Sequence, residues 1–174
     1  VDHVLKDNTR SPQPSVAEIT IRSTASIPVE ISDLVEIETY TDPRFTGRVS
    51  DRRITHEKST SGVYVARTTI TAMGNLALLG LLEVGTAGFA EETLDDRVTN
   101  ILDETGLVYT ANTDPGMVLL AADPAEGQTA NSVLTDICQQ TGATMCDLPD
   151  GAILFESYTR RGYGYNPSTW AMVT

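Results

Sequence analysis

The chain changes its hydrophobic rhythm once, and that change divides it. In the first part apolar positions recur every second residue: Ala17, Ile19 and Ile21 alternate with Glu18, Thr20 and Arg22, and Val29 and Ile31 alternate with Glu30 and Ser32. From Leu34 to Tyr40, Val35 and Ile37 face one way and Glu36 and Glu38 the other. Thr41-Asp42-Pro43-Arg44 reads as a turn, with Pro43 presetting one dihedral. Beyond it Phe45, Gly47 and Val49 alternate with Arg44, Thr46, Arg48 and Ser50. After a polar break from Lys58 to Gly62, a run from Val63 to Met73 is rich in Val, Thr, Ile and Tyr. A period of two with β-branched residues predicts half-buried antiparallel strands. About five of them fall within residues 17–73, the count and spacing of a small antiparallel barrel or sandwich. Gly47 has no side chain to pack, so it marks a bulge or the close approach of another backbone.

The period then becomes helical. Gly74-Asn75 stops the last strand, Leu76 to Val84 fits a short helix leading out of the barrel, and Gly85 to Phe89 is a loop. From Glu91, the residues Leu94, Val98, Ile101 and Leu102 fall on one stripe, Glu91, Glu92, Asp95 and Asp96 crowd the first turns, and Gly106 is a natural stop. Strands are expected at Leu107 to Thr110 and, after the Asp114-Pro115-Gly116 turn, near Met117 to Ala121. An offset of 36 sets Thr93 on Thr129, Val98 on Leu134, Ile101 on Ile137, Leu102 on Cys138 and Gly106 on Gly142, so a helix, a Thr-Gly stop and a strand occur twice. Two copies are too few for a solenoid. The second copy closes with a hairpin, Ala143 to Cys146 and Ala152 to Tyr158, around Leu148-Pro149-Asp150-Gly151. The expected class is α+β: an arm (1–16), a small barrel (17–73), a connector (74–90), a compact α+β unit with two similar helices on a sheet (91–158), and a linker (159–174).

Residues Arg44-Phe45-Thr46-Gly47-Arg48-Val49, a polar hairpin, and Thr71-Ala72-Met73-Gly74-Asn75-Leu76-Ala77-Leu78-Leu79 together resemble the minor tail proteins of long-tailed bacteriophages, the group related to the baseplate hub. Glu91 to Gly106 and Asn131 to Tyr158 extend the resemblance, which covers roughly residues 30 to 158. It implies a structural protein of the virion, a hub-like ring at the tail tip joining tail tube and baseplate. The implied partners are other copies in a homotrimer, the tail tube, the distal tail protein and the tape measure. It further implies two related tube-like β-domains per chain, with the α+β unit standing between them and the second barrel beyond Thr174; the start at Val1 rather than Met agrees with a piece of a longer polypeptide. Arg44, Phe45, Gly47 and Arg48 are the candidate interface residues.

Charge adds a constraint. Twelve Lys and Arg against 24 Asp and Glu give a net charge of −12, which repels phosphate and disfavours direct nucleic-acid binding. Arg44, Arg48, Arg52, Arg53 and Arg67 sit in the first part and the carboxylates are thick between Glu83 and Glu126, an asymmetry suited to subunits that meet basic face to acidic face. The longest apolar run, Leu76 to Leu82, is far short of a membrane span of about 20 residues.

Catalytic signatures are scarce. The hydrolase elbow, the P-loop, the dinucleotide glycines and H-E-x-x-H are absent, and Gly162-Tyr163-Gly164 is half a fingerprint. Cys138 and Cys146 form neither a C-x-x-C nor a zinc set; Cys138 lies on an apolar stripe and the two are expected to stay thiols. The adjacent acids Asp95-Asp96 and Asp103-Glu104 do not face each other on a helix. No cofactor or metal is expected, nor catalysis. The rival readings are a tail-associated cell-wall hydrolase or protease using Cys138 or His56, and a receptor- or carbohydrate-binding module, for which 6% aromatic residues is low.

Overall fold

The computed structural model describes residues 12–158, apart from Ser26, Thr41, Ser59, Thr60, Ser61, Val63, Pro115, Met117, Ala125 and Glu126. The expected linker 159–174 and residues 1–11 of the expected arm lie outside the described residues.

Four strands, β1 (Val16–Ser23), β2 (Leu34–Thr39), β3 (Asp42–Lys58) and β4 (Tyr64–Met73), form an antiparallel sheet in the order β1-β4-β3-β2. The sheet curls into a half-barrel and stays open. The fifth strand expected at Val29 to Ser32 is a loop. The Asp33 carboxylate accepts the Glu30 amide at 2.8 Å, Ser32 takes φ 75°, and Ile31 is left 58% exposed, so the local turn wins where alternation has no core to face. The hairpin from β2 to β3 also turns earlier than Pro43 suggested: Tyr40 has φ 58° and Pro43 already pairs with Glu38 inside the ladder.

Gly47 marks the close approach of another backbone rather than a bulge, since it pairs in register with Val35. A Cβ there would collide with the Met73 carbonyl and the Phe45 ring, and register shifts flank it, between Ile37 and Glu38 and between Val49 and Asp51. The shifts leave Arg44 and Ser50 without opposite partners, which is how a long strand bends. Phe45 fills the resulting hollow with Ala17, Ala72, Val35 and Ile37, a small core of its own.

The chain leaves the sheet through the expected short helix, a 3-10 helix (Asn75–Gly80) that ends earlier than Val84, and a short strand β5 (Glu83–Val84). The expected duplication is then visible atom by atom. β6 (Glu92–Thr93) leads into α1 (Leu94–Thr105) and strand β7 (Tyr109–Asn112); after β8 (Leu119–Leu120), β9 (Gln128–Thr129) leads into α2 (Ala130–Thr141) and strand β10 (Thr144–Asp147). Thr93 and Thr129 cap the two helices, their hydroxyls accepting the Asp96 and Ser132 amides, each at 3.3 Å. At the far ends Gly106 (φ 68°) and Gly142 (φ 73°) take the left-handed turn. Thr105 and Thr141 donate back to the Leu102 and Ile137 carbonyls and accept from the Leu107 and Ala143 amides. α1 thus begins at Leu94, and Glu91 and Glu92 precede it rather than belonging to its first turn.

β11 (Ile153–Glu156) lies between the two copies' strands, parallel to β7 and antiparallel to β10. Leu94, Val98, Ile101 and Leu102 of α1 pack with Val133, Leu134, Ile137 and Cys138 of α2 over Met145, Ile153 and Phe155. Leu76 and Leu79 of the 3-10 helix complete this larger core.

The two cores share no residue, and polar bonds join them. Asp147, at the end of β10 and 6% exposed, accepts the Ser15 amide at 2.7 Å and the Leu76 amide at 2.6 Å, one just before β1 and the other just after β4. Gly74 packs so tightly on this carboxylate that a Cβ would overlap it. Thr46 donates to the Pro149 carbonyl at 3.1 Å and Asn75 to the Gly151 carbonyl at 2.7 Å. Burial pushes the Asp147 carboxyl above its ordinary value of 3.8, and the two backbone amides only partly offset it.

Two outcomes follow for stability. Ile101→Asp and Ile137→Asp each place an unpaired charge in the larger core at a cost of several kcal/mol and should abolish its cooperative melting, whereas exposed His56→Ala should melt like the parent. Asp147→Asn turns an amide N–H toward a backbone donor and should cost about 2 kcal/mol at neutral pH in denaturant unfolding. Between pH 3.8 and the raised folded value the folded state holds more protons than the unfolded one, so this group's contribution falls as pH rises through that window and is flat above it. The parent's advantage over Asp147→Asn should therefore widen on acidification; an advantage that shrinks would contradict this placement.

Candidate assembly surface

The half-barrel presents two unlike faces. Its inner face carries Ala17, Phe45, Val49, Ile70 and Ala72, all buried, because the alternation of each strand puts the short and apolar residues on one side. The other face is polar across three strands: Glu18, Thr20 and Arg22 of β1, Thr71, Thr69 and Arg67 of β4, and Asp51, Arg53, Thr55 and Glu57 of β3. Here Arg67 pairs with Glu57 at 3.7 Å, and Arg22 stands opposite Arg67, like charge on like. This face forms a shallow trough lined by charged and threonine side chains.

The edges are the sheet's unfinished feature. Among the described residues β1 pairs only with β4. β2 covers β3 as far as Arg48, and the loop before it adds bonds from the Ser32 amide to the Val49 carbonyl and from the Val49 amide to the Asp33 carbonyl. From Asp51 to Lys58, β3 has β4 on one side and no backbone partner on the other among the described residues, and all eight residues are exposed. Unpaired amides and carbonyls in such a row are a template for another strand.

The four candidate interface residues divide. Arg44 and Arg48 are exposed, the first at a bulge and the second donating to the Ser32 carbonyl at 3.0 Å. Phe45 (2% exposed) and Gly47 point inward, where they shape the sheet. Arg52 also reaches the loop, donating to the Val29 carbonyl.

His56 lies exposed on β3, while Cys138 is buried in the larger core, so the fold keeps them in separate units. Cys146 is a thiol too, pushed up to about 11 by burial and then by the charges of Asp147 and Glu156, which leaves little thiolate near neutrality. Among the described residues no helix is long and apolar enough to cross a membrane.

One buried group escaped the sequence reading. Arg97 is 3% exposed: it pairs with Glu92, donates to the Ala90 and Ala121 carbonyls at 2.6 and 3.1 Å, and lies 4.7 Å from the centre of the Phe89 ring. The signal was present, since Arg97 is the one basic residue between Arg67 and Arg160 and falls three positions after Leu94. The hollow beside it, lined by residues 85–90 with Glu92, Asn100 and Glu104, has its carboxylates engaged by Arg97, by Asn100 and by the Gly85 amide.

No protein-family model and no curated protein matches the sequence. Solved structures do match in shape. The 43 kDa tail protein of prophage MuSo2 from Shewanella oneidensis superposes with a TM-score of 0.67 at 16% identity, over 81% of this chain and 44% of that one. A tail protein from Neisseria meningitidis gives 0.62 at 16% identity, over 82% and 41%. An Escherichia coli component of the type VI secretion system, itself described as structurally similar to bacteriophage tail proteins, gives 0.53 at 16%, over 83% and 42%. The chain thus spans less than half the length of each of these proteins. Its fold, an open four-stranded sheet joined to a duplicated helix-and-strand unit, is the fold found in bacteriophage tail proteins.

Proposed function

We propose that this chain is the structural wall of a ring at the tail tip, a hub-like component that joins tail tube to baseplate in a phage virion. The observation that carries the reading is the open sheet: a half-barrel whose edges are unpaired among the described residues, with a polar face, on a fold shared with tail proteins. Such a sheet leaves its edge groups unsatisfied in isolation, and neighbouring β-domains in a closed ring supply partners for them. The charge asymmetry fits the same arrangement, with Arg44, Arg48 and Arg53 on the sheet and an acidic α+β unit beside it. A homotrimer is the proposed order, each complete polypeptide contributing a second β-domain, and the neighbours are the tail tube, distal tail and tape measure proteins.

Catalysis is not part of this proposal. A hydrolase or protease needs a nucleophile within reach of a base, and His56 and Cys138 are held in separate units.

Imaging intact particles with a label directed at residues 12–158 is the test. Density or label in a closed ring at the distal end of the tail is expected, with no solubilisation of peptidoglycan by the purified chain. Label along the tail shaft or on side fibres, or a monomeric copy within the particle, would overturn the proposal.

A further inference from the structure

We propose, independently of the ring reading, that the half-barrel swings as a rigid body on the α+β unit, with Gly74 as the pivot and the bond from Ser15 to Asp147 as the latch that holds it closed. The first observation is how little joins the two bodies. Leu76 and Leu79 pack the 3-10 helix into the larger core, so this helix moves with the α+β unit. The described chain therefore passes between the bodies once, at Gly74, between the last residue of β4 and Asn75. The two cores have no residue in common. Two side-chain hydrogen bonds span the boundary: Asp147 accepts the Ser15 amide at 2.7 Å, and Thr46 donates to the Pro149 carbonyl at 3.1 Å. The second is exposed and open to competition from water, which leaves the Asp147 bond as the main restraint.

The second observation is the chemistry of that restraint. Asp147 is buried and belongs to neither ion pair found among the described residues. One of its oxygens accepts the Leu76 amide within its own body, and the other reaches across to Ser15. Swinging open returns the carboxylate to water. Because burial opposes its ionisation, rehydration offsets part of the lost bond, and the latch can release without exposing an apolar core. The bond is directional, so it also defines a single closed angle.

The third observation is Gly74 itself. Its φ of −65° and ψ of 168° are open to any residue, so space rather than backbone conformation calls for glycine: a Cβ would overlap the Asp147 carboxylate. The Gly74 amide donates to the Ser15 carbonyl at 2.8 Å, which ties the pivot to the residue that is latched. Small residues at the end of an element are where hinges absorb a change of dihedral angle.

Pulsed electron-spin distances between labels at Thr20→Cys on the sheet and Gln140→Cys on α2, both exposed positions, read the swing in the complete polypeptide diluted with unlabelled copies. Cys138 is buried and Cys146 carries little thiolate near neutrality, so the labels go to the introduced residues. The parent should give one narrow distance. Asp147→Asn and Gly74→Ala act on opposite sides of the latch: each should broaden the distance, and the two combined should broaden it no further. The Ser15 amide should exchange about thirtyfold faster in either variant, while α1, α2 and the ladder of β3 and β4 keep their protection. One unchanged narrow distance in every variant would overturn the hinge, and additive broadening would overturn the latch. Broadening that comes with loss of protection in α1 and α2 would be unfolding rather than swinging, and would overturn the proposal as well.

Discussion

One buried carboxylate holds the two halves of this molecule in register. Asp147 belongs to the α+β unit, yet the amides it accepts, Ser15 and Leu76, bracket the sheet, one entering β1 and the other leaving β4. Because the hydrophobic cores do not merge, the orientation of the sheet rests on this carboxylate, on Gly74 packed against it, and on the bonds from Thr46 and Asn75 to the β10–β11 turn. Directional bonds fix an angle in a way that apolar contact does not, because hydrophobic burial is non-directional. Burial opposes ionisation of Asp147, so the joint holds a charge that favours protonation while its amide partners favour the anion.

The α+β unit is a rigid body for a different reason. Its helices repeat one design, a threonine cap, twelve residues and a left-handed glycine, and the repeat places two apolar stripes against each other over one three-stranded sheet. Arg97 then closes the segment before α1 with an ion pair, two carbonyl bonds and the Phe89 ring. A charge that deep is tolerable because the Glu92 carboxylate pairs with it and two carbonyls accept from it. The sheet has a smaller core, Ala17, Phe45 and Ala72 with Val35 and Ile37 packed on them, and Val49 and Ile70 are buried on the same face.

What was legible in the sequence tracks how local each cause is. The strands of the half-barrel, the two capped helices and their offset of 36 follow from periodicity and single residues such as Thr93 and Gly106, so they were readable. Val29 to Ser32 misled, since alternation alone does not say whether a partner strand exists, and the Asp33 turn took the segment. The start of α1 was misplaced by three residues because Glu91 and Glu92 resemble a first turn while Thr93 is the cap. Among the candidate interface residues, Phe45 and Gly47 proved internal to the sheet because a bulge on each side bends β3 around them, which spacing does not announce. Asp147 and Arg97 were unreadable as partners for the same reason: their bonds join residues 132 and 71 positions apart for the first, and cross three segments for the second.

The open sheet is the feature on which function turns. Its polar face, its bulged bend and the edges left bare among the described residues make sense together if the half-barrel is an arc of a larger closed wall, in which neighbouring β-domains supply the partners it lacks. Amide hydrogen exchange, compared between assembled and dissociated protein, tests this most directly. The account predicts that amides of Val16 to Ser23 and Asp51 to Lys58 gain strong protection on assembly while those of α1 and α2 are unchanged. Equally rapid exchange of both edges in the two states would contradict it.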